Sequence, residues 1–191
     1  MRQWLPLLNT DSIRMRRLFY NLLALFSIAF SFSASVHGQR PTKALVDQLL
    51  RDDSNAADIV RNSGYSTSDV IKQLTAKAVD LDGDGLAEFI LSGLICGQNC
   101  SHWIYRKRRN LFEQIPFEGS FLELKVLATS TNGFRDLRAS IFLNCCEGGL
   151  ETYQYNGSEY KPTICKIEKY GYTDKRGVYR KYKYPRIEDC E

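Results

Sequence analysis

Asp80-Leu-Asp82-Gly-Asp84-Gly-Leu-Ala-Glu88 carries carboxylates at positions 1, 3, 5 and 9 of a nine-residue run, with glycines between them. Charges packed this densely repel one another unless a cation neutralises them. A hard divalent ion does so with oxygen ligands alone, and calcium accepts the irregular geometry of a loop. The flanks indicate what the loop joins. Ala76-Lys-Ala-Val leads in and Phe89-Ile-Leu leads out, so a β-strand is expected on each side. Gly85 suits the turn because it lacks a Cβ.

Outward from this loop the chain continues in the same texture. Strands are expected near 73–79, 87–95, 102–106, 110–116, 121–128, 137–144, 150–155, 158–164 and 176–184. Asn156-Gly157, flanked by Thr152-Tyr-Gln-Tyr and Glu159-Tyr-Lys, predicts a two-residue hairpin turn, because both residues tolerate positive φ. A shift of 48 residues lays Asp84-Gly-Leu-Ala-Glu88 on Asn132-Gly-Phe-Arg-Asp136, Tyr105 on Tyr153 and Phe112 on Tyr160. Residues 74–116 and 122–164 therefore read as two approximate repeats of one four-stranded unit, near the length of a propeller blade. Two units cannot close a propeller. Upstream, 39–72 reads as a helical segment. Ala44, Leu45, Leu49 and Leu50 recur at helical spacing over 41–63, Ala57, Ile59 and Val60 continue after a break at Asp52-Asp-Ser-Asn, and Ser63-Gly-Tyr-Ser-Thr-Ser reads as a loop. The expected fold is mainly β (α+β): antiparallel sheets from two blade-like units, with short N-terminal helices packed on them.

The acidic loop resembles the calcium loop of integrin-alpha-type FG-GAP repeats and of VCBS-like bacterial secreted proteins, whose pattern is D-x-[DN]-x-[DN]-G-x-x-[DE] between two strands. That resemblance implies side-chain oxygens from Asp80, Asp82, Asp84 and Glu88 and a main-chain oxygen from Leu86, holding a calcium ion. An EF-hand begins with the same spacing but needs a bidentate Glu at position 12. Leu91 stands there, which removes that reading. In the second unit Ala128 and Ser130 replace the first two ligands. Asn132 and Asp136 are expected to make turn hydrogen bonds rather than hold an ion.

The first 38 residues read as an export signal. Arg14, Arg16 and Arg17 precede the apolar run Leu18-Phe-Tyr-Asn-Leu-Leu-Ala-Leu-Phe-Ser-Ile-Ala-Phe, and Val36 and Gly38 suit cleavage before Gln39. Initiation at Met15 would give a more compact signal. Without this segment 22 basic and 21 acidic residues remain, so the overall basic balance belongs to the leader and no nucleic-acid partner is implied. No membrane association is expected after cleavage. Cys96, Cys100, Cys145, Cys146, Cys165 and Cys190 all follow the leader, and an even count in an exported chain predicts disulfides. Cys96 and Cys100 can bridge one loop. Adjacent cysteines seldom pair, so Cys145 and Cys146 are expected to join Cys165 and Cys190.

Catalytic motifs are lacking. His102 is the one histidine after the leader, and no Gly-x-Ser-x-Gly, His-Glu-x-x-His or phosphate-cradling glycine loop occurs. The near-neutral balance, the leader and the loop together point to a secreted or periplasmic non-enzymatic domain. Its expected role is to bind a protein or cell-envelope ligand. An inhibitor or immunity-type protein that caps a toxin or hydrolase is the alternative. A hydrolase built on His102 and the acidic loop is a weaker one. The segments Lys166-Ile-Glu-Lys-Tyr170-Gly-Tyr172 and Val178-Tyr-Arg-Lys-Tyr182-Lys-Tyr184 alternate aromatic and basic residues. They read as an edge strand with one packed and one wet face.

Overall fold

The computed structural model describes residues 38–117 and 119–190, so the expected export signal lies outside the described residues. The fold is mainly β, with three short helices preceding ten strands. Helices α1 (Lys43–Asp52) and α2 (Ser54–Ser63) meet at Asp53, inside the break expected at Asp52-Asp-Ser-Asn. Asp53 caps α2, its Oδ1 accepting from the Ala56 amide at 2.9 Å. A third helix, α3 (Thr67–Gln73), occupies the end of the expected loop. Ser66 and Asp69 form a capping box there, which satisfies two otherwise orphaned groups at the helix start.

The strands are β1 (Leu74–Val79), β2 (Glu88–Cys96), β3 (Cys100–Arg108), β4 (Leu111–Ile115), β5 (Ser120–Phe121), β6 (Glu123–Thr131), β7 (Phe134–Asn144), β8 (Glu147–Tyr155), β9 (Tyr160–Thr173) and β10 (Tyr179–Asp189). One antiparallel sheet runs β1-β2-β3-β4, with β5 also paired to β3; the other runs β10-β9-β8-β7-β6. The 48-residue shift carries the pairs Ala76↔Leu91, Leu91↔Trp103 and Tyr105↔Gln114 onto Leu124↔Ala139, Ala139↔Glu151 and Tyr153↔Pro162. The two meanders thus share one hydrogen-bond register.

Two apolar clusters hold the layers. Leu45, Val46, Leu49, Val70, Leu91, Trp103 and Tyr105 join the helices to one face of the first sheet. Leu81, Ile90, Ile104, Phe117, Phe121, Phe134, Leu137, Tyr153 and Tyr160 fill the space between the sheets. The first sheet is covered on both faces. That is why β3 reads His102-Trp-Ile-Tyr105 without alternation and all four are buried. Each large side chain so buried contributes about 1.5–3 kcal/mol.

Three turns differ from expectation. Asn156-Gly157 lies within a four-residue loop, since Tyr155 pairs with Tyr160. Asn156 Oδ1 gathers the amides of Ser158 and Glu159 at 2.9 and 3.0 Å, and that Asx geometry needs the longer loop. The tight turn is instead Asn132-Gly133, with φ of 50° and 84°, closing β6 to β7 where a second polar loop was expected. Finally, β9 runs on to Thr173 and forms a long hairpin with β10.

The cysteines also pair differently. Cys96–Cys100 forms as expected, but Cys165 bonds Cys190, which leaves Cys145 and Cys146 as thiols. The register explains this. Cys165 and Cys190 close the open end of the β9–β10 hairpin, whereas Cys145-Cys146 forms the turn between β7 and β8, its Sγ atoms 2.8 Å apart.

Candidate metal centre

Strand pairing creates the loop. Val79 and Glu88 are the last cross-strand partners of β1 and β2, so residues 80–87 bulge from the end of that hairpin. The aspartates organise this excursion through main-chain amides. Asp80 accepts from Gly83 and Gly85 at 2.7 and 3.1 Å, Asp82 from Asp84 at 3.2 Å, and Asp84 from Leu86 at 2.7 Å. Gly83 and Gly85 sit at φ of 76° and 85°, where a side chain would be strained.

Glu88 anchors the site from below. It is buried, and its Oε2 accepts from the Leu81 amide at 2.7 Å. Burial is the main reason its carboxyl is held above the ordinary range; the Leu81 amide opposes this, and Asp82, Asp84 and Asp80 add to it. Carboxylate oxygens of Asp80, Asp82 and Glu88 lie within 4.8 Å of one another. That spacing lets one cation with oxygen ligands at about 2.3–2.6 Å touch all three. Asp84 stands outside this group, its carboxylate committed to the Leu86 amide, and the Leu86 side chain is exposed. The donor set is all oxygen and converges on a point, which fits calcium.

Two features around the loop were not legible in its spacing. A cleft of about 290 Å³ is lined by Asp82, Asp84, Leu86 and Glu88 on one side and by Arg106, Lys107, Arg108 and Arg109 on the other. Among the described residues the ion pairs of Arg106 and Arg108 go to Glu113 rather than to the loop. The second feature is Asp136. It follows Arg135, whose amide donates to the Leu81 carbonyl at 2.7 Å. Asp136 is buried, and its Oδ1 has no hydrogen-bond partner, so the expected turn hydrogen bond is not made. Asn132 spans strands instead, its Nδ2 donating to the Tyr155 carbonyl at 2.8 Å.

His102 lies elsewhere. It lines a cleft of about 550 Å³ with Asp52, Asp53, Trp103 and Phe117. Its Nδ1 meets the Cys100 carbonyl at 2.8 Å; a carbonyl only accepts, so Nδ1 carries the proton. Its ring packs on Phe121, and burial holds its pKa below the usual value, against the Cys100 carbonyl bond. Cys100 itself is in a disulfide. The structure therefore does not join His102 to a thiolate, nor to the acidic loop. Two disulfides cross-link the described residues, and no described helix is long and apolar enough to cross a membrane. Compared with known proteins, the chain matches no family model, no curated protein and no solved structure at a significant level.

Proposed function

We propose that this protein is an exported, non-enzymatic binding domain whose acidic loop holds a structural calcium ion. The observation that carries the ion is the convergence of Asp80, Asp82 and Glu88 within 4.8 Å, in a loop whose spacing resembles the FG-GAP calcium loop. Export is supported by the leader-like N-terminal sequence and by the disulfides. The ion ties the end of the β1–β2 hairpin to the buried Glu88 and so acts as part of the fold. Extracellular sites of this kind bind at about 10⁻⁴–10⁻³ M, a range filled outside cells.

Thermal unfolding tests the site. At calcium near ten times its Kd the melting temperature should exceed that in EGTA by about 3–6 °C. Asp80→Ala with Asp82→Ala should remove the difference. Superimposable melting curves with and without calcium would sink the site.

A further inference from the structure

We infer that the β9–β10 hairpin is a docking surface for an anionic polysaccharide. This rests on the binding-domain reading above but not on calcium. An edge strand with one packed face would explain the alternating tyrosines and cations, but the edge strand β10 has no packed face. In β10 only Tyr182 is even half-buried, and every other residue is exposed. The core between the sheets takes Tyr160 at the start of β9 and nothing beyond it. Beyond Tyr170 the hairpin leaves β8 and is two-stranded, and such a ribbon gains little from burial and is marginal alone. This one is held by β8 alongside, by Cys165–Cys190 across its open end, and by the ion pairs Lys166–Asp189 and Lys169–Glu188. A rigid ribbon has less freedom to lose on binding.

Its chemistry is one-sided. From Tyr160 to Asp189 the chain carries nine Lys and Arg against four Asp and Glu, while the rest of the chain after Gly38 carries 13 against 17. Within β10, four residues, Tyr182-Lys-Tyr-Pro185, bulge out opposite Tyr170 alone. The bulge builds a stack: the Tyr182 and Tyr172 rings are 5.4 Å apart, and the Arg186 guanidinium lies 4.4 Å from the Tyr182 centroid. Tyr184 is 72% exposed beside Lys183. Lys181 and Lys183 form no ion pair among the described residues.

Exposed ring faces suit the apolar faces of sugars, and free cations suit carboxylate or sulfate groups. The rings of this hairpin are all tyrosines, without the Trp, Phe or Leu that would seat a surface segment among acyl chains. The disulfide places the hairpin where acidic glycans rather than nucleic acids are the common polyanions.

The test uses the full chain with its disulfides formed, in EDTA so that calcium plays no part. Binding is measured to polygalacturonate, to the same polymer methyl-esterified, to single-stranded DNA and to phosphatidylglycerol vesicles. Polygalacturonate should be bound most tightly and its ester not at all. Lys181→Glu with Lys183→Glu should weaken binding about tenfold or more, and Tyr184→Ala about fivefold, with unchanged circular dichroism. Three results would overturn the proposal. One is no binding to polygalacturonate. Another is tighter binding to DNA or vesicles. The third is full affinity in Tyr184→Ala, which would make the hairpin a plain cation exchanger. None of these touches the calcium melting test, and capture of a different envelope ligand would leave the binding-domain reading standing.

Discussion

Glu88 and Asp136 are both buried carboxylates, and they are held differently. Both raise the Tyr160 hydroxyl's pKa, after burial itself, which is the larger cause. Glu88 accepts a main-chain amide, but Asp136 Oδ1 accepts nothing. A buried acceptor without a partner costs about 1–3 kcal/mol. Asp136→Val, which deletes the unpaired acceptor and adds no donor, should therefore raise the stability of the calcium-free protein by about 1 kcal/mol in urea denaturation; a loss would show that the carboxylate finds a partner in solution. His102 gives a pH-dependent case. Its folded pKa lies below the unfolded value, so as pH falls through about 6.5 the unfolded chain takes up a proton that the folded chain refuses. Stability should fall from pH 7.5 to 5.5, and His102→Gln should lessen that slope. An equal slope in the variant would place the titration elsewhere. Asp80, Asp82 and Glu88 could be read from the sequence because nine consecutive residues bring them together. Asp136 could not, because strand pairing delivers it from another sheet.

Asp53 shows how single residues set elements. It ends α1, caps α2 through Oδ1, and accepts the Trp103 indole N–H at Oδ2, 2.7 Å away. One carboxylate thus fixes the angle between two helices and pins their joint to β3. Asp53→Ala should cost about 2 kcal/mol, roughly half from the lost cap and half from the orphaned indole. Asp53→Asn should recover part of it, because an amide oxygen still caps; the urea midpoints of the two variants decide this. An alanine variant of wild-type stability would mean that the helices are positioned by apolar packing alone. The strands were legible from alternation and turn chemistry. The start of α3 was misread because Ser66-Thr-Ser-Asp69 has the composition of a loop, although its spacing is also that of a capping box. The register of β9 with β10 was hidden for another reason. Neither face of β10 is packed, so no apolar pattern marks its length.

At the scale of the whole molecule, the layers separate what folds from what is displayed. Helices, first sheet and second sheet share two continuous apolar clusters, and both end before the distal part of β9. The sandwich should therefore unfold as one unit, with the β9–β10 ribbon opening locally at lower cost. A disulfide stabilises mainly by limiting the unfolded state, typically by 2–4 kcal/mol when its loop is part of the cooperative unit. The loop closed by Cys165 and Cys190 is almost entirely ribbon. If the ribbon opens independently, the bond protects the ribbon and not the sandwich. Cys165→Ser with Cys190→Ser should then speed hydrogen exchange of the amides from 178 to 189 while moving the global urea midpoint little. It should also weaken polygalacturonate binding, because a loosened ribbon must be ordered on contact. A drop in global stability as large as 2–4 kcal/mol, with no selective rise in ribbon exchange, would show that the hairpin belongs to the folding unit and is not an appended display surface.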